Sequence, residues 1–124
     1  MKQNSFRDLD AYKAGKVLIK DIYRLLKKFP KEEQYAMCDQ LRRAAISITS
    51  NIAEGSGRQS FKDQAHFIEV AYGSLMEVMR QLDLALDLNF IDVDTHSHLD
   101  MLIKEEAKVL SGYRSSLLNK LSKL

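Results

Sequence analysis

The stretch SFKDQAHFIEVAYGSLMEVMRQLDLALDL, Ser60 to Leu88, decides the fold. It contains no proline, and Phe61, Ala65, Ile68, Tyr72, Leu75, Met79, Leu82 and Leu86 recur at helical spacing. Phe67, Ala71, Val78 and Ala85 widen that stripe to about half the circumference. A helix so broadly apolar needs cover from several sides, so it is expected to be the central and most buried element. Ser60 and Asp63 form an S-x-x-D start signal, and Asn89 can end the helix in a left-handed cap.

Working outward, three further helices are expected. The first runs from about Asp8 to Lys28, with Ser5 and Asp8 as candidate caps. Leu9, Tyr12, Ile19, Ile22, Tyr23 and Leu26 fall on one side, and Leu18 and Leu25 widen it. Phe29-Pro30 ends it, because the residue before proline avoids the α region. The second runs from about Glu32 to Glu54, with Met37, Leu41, Ala44, Ala45, Ile48 and Ile52 as a narrow core stripe. Tyr35, Ile46 and Ala53 lie nearly opposite, beside Arg42, which implies a second neighbour and hence another subunit. Gly55 is read as the C′ residue, with Gly-Ser-Gly making the turn. The fourth begins after Asp92 or Asp94 and buries Leu99, Leu102, Ile103, Leu110, Tyr113, Leu117 and Leu121. Short loops between long helices give an all-α, antiparallel up-down-up-down four-helix bundle, one domain over residues 1–124.

Composition agrees. The chain has 124 residues, 45% hydrophobic and 29% charged, with one cysteine and one proline. No apolar run approaches the roughly 18 residues of a membrane span, and MKQNSFRDLD offers no signal-peptide core. A lone Cys38 excludes an internal disulfide and fits a reducing cytoplasm. Residues 1–62 hold 13 basic and 7 acidic side chains, net +6, and residues 63–124 hold 6 and 10, net −4. Such asymmetry suits a polyanion-binding surface, or oppositely charged faces that meet in an assembly.

Catalytic and metal signatures are absent. The near match to a bundle-type Glu-x-x-His ligand pair is His66 and Glu69 in reverse order. His96 and His98 are two residues apart and diverge on a helix, and Asp94 and His98 share a face without further ligands. Neither a metal nor a cofactor is expected. Cys38, at the edge of the second helix's stripe, reads as a half-buried structural thiol. No nucleophile elbow, P-loop or dinucleotide fingerprint occurs, so the chain is not expected to be an enzyme. Arg58 and Lys62, at the junction that opens the third helix, are suited to a phosphate. Arg43 on the second helix, and Lys27, Lys28 and Lys31 at the first turn, complete the candidate nucleic-acid contacts. Tyr35, Arg42, Ile46 and Ala53 are the candidate oligomer interface, with Arg42 expected in an intersubunit ion pair or hydrogen bond.

The string QLRRAAISITSNIAEGSGRQS (Gln40–Ser60) resembles the core motif of the bacterial four helix bundle protein family, also called 23S rRNA intervening-sequence proteins. The resemblance extends to FRDLDAYKAGKVLIKDIYRL (Phe6–Leu25), FPKEEQYAM (Phe29–Met37) and FIEVAYGSLMEVMRQLDLALDLNFI (Phe67–Ile91). Members usually carry proline where this chain has Thr49, and small or polar residues at Met37-Cys38-Asp39. A related group comprises the accessory variability determinants of diversity-generating retroelements, which form five-membered rings and bind a reverse transcriptase and nucleic acid. The resemblance thus implies a homopentameric ring. It implies a non-enzymatic scaffold that binds RNA, DNA or an RNA-handling protein such as a reverse transcriptase. The alternative is a purely structural protein–protein interaction module without nucleic-acid binding.

Overall fold

The computed structural model describes residues 5–124, and all its regular elements are helical. A 3-10 turn at Phe6–Asp8 is capped by Ser5, whose hydroxyl accepts a hydrogen bond from the Arg7 N–H at 3.2 Å. It leads into α1 (Asp10–Leu26), followed by α2 (Met37–Ser56), α3 (Phe61–Asp87) and α4 (Val93–Ser122). Asp8 closes the 3-10 turn and does not cap α1, whose N-cap Leu9 has no side-chain cap. Helix α1 packs on α2 and α4, α2 on α3, and α3 on α4. The helices thus close a ring around one apolar core, as expected of amphipathic helices with no sheet to cover. None of the described helices is long and apolar enough to cross a membrane.

The core is built from one stripe per helix. Helix α1 contributes Ala11, Leu18, Ile22, Leu25 and Leu26, centred slightly to one side of the expected stripe, so that Leu9, Tyr12 and Ile19 are only partly buried. Helix α2 contributes Cys38, Leu41, Ala44, Ala45, Ile48 and Ile52, and α4 contributes Leu99, Ile103, Leu110 and Leu117. Helix α3 is not the most buried element. It buries seven residues among 27, whereas α2 buries seven among 20, and Val70, Tyr72 and Leu84 remain exposed. Each helix of the ring has two neighbours, so even the most apolar one keeps an outer face.

The expected caps of α3 and α4 are present. The Ser60 hydroxyl accepts from the Asp63 N–H at 3.0 Å, and Asp92 Oδ1 accepts from the Thr95 N–H at 2.7 Å. Asn89 takes φ 63°, while the Phe90 N–H reaches the Ala85 carbonyl and the Asn89 N–H the Leu86 carbonyl. That pair of bonds is a Schellman closure, with asparagine in the position glycine usually fills.

Two boundaries differ from expectation. Helix α2 starts at Met37, five residues after Glu32. Gln34 Nε2 donates to the Leu26 carbonyl at 3.0 Å, which satisfies an otherwise orphaned group at the end of α1. The segment before α2 is therefore pinned to α1 as a 3-10 turn at Lys31–Glu33, and Ala36 turns the chain with φ −120° and ψ −98°. Gly55 is no C′ residue but lies buried inside α2. A Cβ there would fall 2.9 Å from Phe67 Cβ and 3.2 Å from the Gln64 carbonyl oxygen, so glycine permits close approach of α2 and α3. Higher on the same seam, the Ser74 hydroxyl donates to Ser47 Oγ at 2.8 Å, and Asn51 Nδ2 donates to Ser47 Oγ at 3.0 Å.

Candidate nucleic-acid interface

The cationic residues singled out from the sequence do not form one patch. Lys27, Lys28 and Lys31 are exposed around the α1–α2 connection, whereas Arg58 and Lys62 lie at the α2–α3 connection. The 20 residues of α2 hold these two groups about 30 Å apart. Arg43 is exposed part-way along α2. Arg58 is also engaged already. Its Nη2 is 2.7 Å from Glu54 Oε1, and its guanidinium stacks over the Phe67 ring at 4.6 Å.

The structure brings a different set together. Lys13, Lys16, Lys20, Arg24 and Lys27 are all exposed and follow one another at spacings of three and four along α1. At 3.6 residues per turn they occupy an arc of about 80° and a length of about 21 Å. The opposite face of α1 is the one that enters the core, which fixes this stripe toward solvent. Arg24 pairs with Asp21 at 2.9 Å. Lys13, Lys16, Lys20 and Lys27 make no ion pair among the described residues. The Lys16 ammonium lies 5.5 Å from the centroid of the Tyr12 ring on the flank of the stripe. The 3-4-4-3 spacing of these cations was present in the sequence.

The residues read as an oligomer interface also separate. Tyr35 is 91% exposed, but it precedes α2 and so shares no helix face with Ile46 and Ala53. Ile46 is exposed on α2 and Ala53 is half-buried. Arg42 finds its partners within the chain. It donates to Asp39 Oδ1 at 2.8 Å, to Gln34 Oε1 at 2.8 Å and to the Gln34 carbonyl at 3.3 Å. The same pinning of Gln34 that delays α2 holds this guanidinium against its own chain.

Cys38 is fully buried, not half-buried, and burial pushes its thiol pKa up, which keeps the sulfur protonated and inert. His98 faces Asp21 across the α1–α4 seam at 3.2 Å. Glu106 on α4 is a feature the sequence reading missed. Its side chain is buried among the core residues, neither carboxyl oxygen has a hydrogen-bond partner among the described residues, and desolvation pushes its pKa up to about 8. It fills the inward position between Ile103 and Leu110, three residues after one and four before the other, which was the signal available.

A family model matches residues 7–112, nearly the whole bundle, and its description is 23S rRNA-intervening sequence protein. The chain belongs to that family. Among curated proteins none matches. The matched region spans the basic stripe of α1, all of α2 and α3, and α4 through Gly112. The resemblance implied a proline at the position where this chain has Thr49. Here α2 runs through that position without a break, and the Thr49 hydroxyl is 3.3 Å from the Ile46 carbonyl.

Proposed function

We propose that this 23S rRNA-intervening sequence protein is a non-catalytic, homo-oligomeric scaffold that binds RNA through the outer face of α1. The observation that carries this reading is the stripe Lys13, Lys16, Lys20, Arg24 and Lys27, four members of which make no ion pair among the described residues. A line of cations about 21 Å long matches a phosphate backbone better than it matches a compact anion. An up-down-up-down course of the helices supports the same picture. The connection between α2 and α3 is four residues, and four residues span at most about 14 Å, far less than either helix. Exposed Ile46 on α2 lies on a different helix from the stripe and is left for contact between copies, the family resemblance favouring a ring of five.

Binding of a labelled structured RNA across a salt series tests the reading. Five phosphate contacts give a slope of log affinity against log salt of about −4.5 on a duplex. Changing Lys13, Lys16 and Lys20 together to Gln is expected to weaken binding and to flatten that slope by about 3 units. The pair Arg58→Ala and Lys62→Ala, at the far end of α2, is expected to change it little. An unaltered slope in the triple variant sinks the α1 assignment. Absence of any binding at low salt turns the function toward a protein partner.

A further inference from the structure

The α3–α4 hairpin carries a cluster that neither the basic stripe nor the core uses. Asp83 lies four residues before the end of α3, and His96 and Asp100 lie one turn apart at the start of α4. The connection is fixed at both ends, by left-handed Asn89 after α3 and by the Asp92 cap on α4, so the two helices meet in a set register. His96 Nε2 is 2.7 Å from Asp83 Oδ1. One ligand atom each from Asp83, His96 and Asp100 lies within 4.8 Å of the other two. An ion at the centre of such a triangle sits no more than about 2.8 Å from each atom, and sub-ångström side-chain shifts bring it to the roughly 2.0–2.2 Å of zinc bonds.

We propose that Asp83, His96 and Asp100 bind a divalent transition-metal ion of the zinc class across the α3–α4 seam, with water completing its coordination. One imidazole nitrogen beside two carboxylates suits such an ion, whereas calcium and magnesium favour oxygen alone. The His96 side chain is 18% exposed and that of Asp83 61%, so the imidazole is held by packing while the carboxylate opposite leaves a path for entry. The position of Lys104 supplies a specific signature. Its ammonium is 2.8 Å from Asp100 Oδ2, and the side chain is 68% exposed on a flexible stem. It occupies the charge that a metal ion would take, and it must swing away when the ion enters. Lys104 is therefore a competitor, and removing it strengthens binding.

Titration of the full chain with Zn²⁺, and with Co²⁺ as an absorbing probe, tests this at neutral pH. One ion per chain is expected, with a dissociation constant of about 10 µM or tighter. His96→Ala and Asp83→Asn each weaken it about tenfold or more, while Lys104→Met tightens it. His98→Ala, one turn-face away on α4, leaves it intact. Far-UV circular dichroism of each variant confirms that the helices persist. No saturable binding by about 100 µM, or binding that survives both His96→Ala and Asp83→Asn, overturns the proposal. So does binding that is lost with His98.

Discussion

The Glu106 carboxyl of α4 presses on Gly15 of α1, so closely that a Cβ at position 15 would lie 2.9 Å from Glu106 Oε2. The same Cβ would lie 2.9 Å from Thr49 Cγ2 of α2, so three helices converge on one glycine. Gly15→Ala gives up this approach. Helix propensity alone favours alanine by about 1 kcal/mol, but the added Cβ must push aside the β-branched Thr49 side chain as well as the more mobile Glu106 carboxyl, and overpacking of that kind costs about 1–3 kcal/mol. The expected net effect is destabilisation, read as a lower denaturant midpoint at unchanged slope. A more stable Gly15→Ala variant would show that the three helices can spread at no cost.

Glu106 itself links stability to pH. Its folded pKa of about 8 lies above the ordinary value of 4.5, because burial disfavours the charged form. The folded state then holds a proton that the unfolded state releases between those two values. Stability from this group is fully present below about pH 4.5, falls as pH rises, and is lost above about 8. A shift of this size corresponds to up to about 5 kcal/mol. Glu106→Gln cannot titrate. Its stability relative to the parent is expected to improve steadily from pH 5 to pH 8, in parallel urea titrations. A difference that stays flat with pH would mean that Glu106 keeps an ordinary pKa.

Most of the fold was legible because helix ends and apolar faces are written in local residue types. Ser60, Asn89 and Asp92 act as caps through their own side chains or their tolerance of positive φ; the first two were readable, and the third was narrowed to Asp92 or Asp94. The start of α2 was not, because it depends on Gln34 reaching back to the end of α1 and on Arg42 reaching back to Gln34. Contacts eight residues apart leave no periodic signal. Gly55 misled for a related reason. A glycine near a helix end is ordinarily a cap, and only the approach of Phe67 reveals it as a packing residue. The basic stripe of α1 was visible as spacing, whereas Asp83 joins His96 only once the hairpin is folded.

Asn89 gives a clean test of the α3 closure. With φ at 63°, the Cβ atom crowds the backbone carbonyl oxygen, and asparagine, whose short polar side chain can hydrogen-bond locally, tolerates this better than alanine. Asn89→Ala is expected to cost about 1 kcal/mol in thermal or denaturant unfolding, and Asn89→Gly to cost nothing or to stabilise. Equal losses from both substitutions would mean that the asparagine side chain, not its backbone conformation, is what matters.

Arg42 and Ile46 separate folding from assembly on a single helix. Arg42 hydrogen-bonds Asp39 and Gln34 of its own chain, and its side chain is only 31% exposed. Arg42→Ala is expected to loosen the segment before α2, lowering stability by about 1 kcal/mol without changing native mass. Ile46 is exposed, so Ile46→Asp removes nothing from the core. In the proposed assembly it places a charge in an apolar contact, and native mass is expected to fall to that of a helical monomer. Native mass spectrometry with circular dichroism on both variants distinguishes the two roles. If Arg42→Ala dissociates the assembly while Ile46→Asp leaves it whole, the interface lies at the start of α2 and not along its outer face.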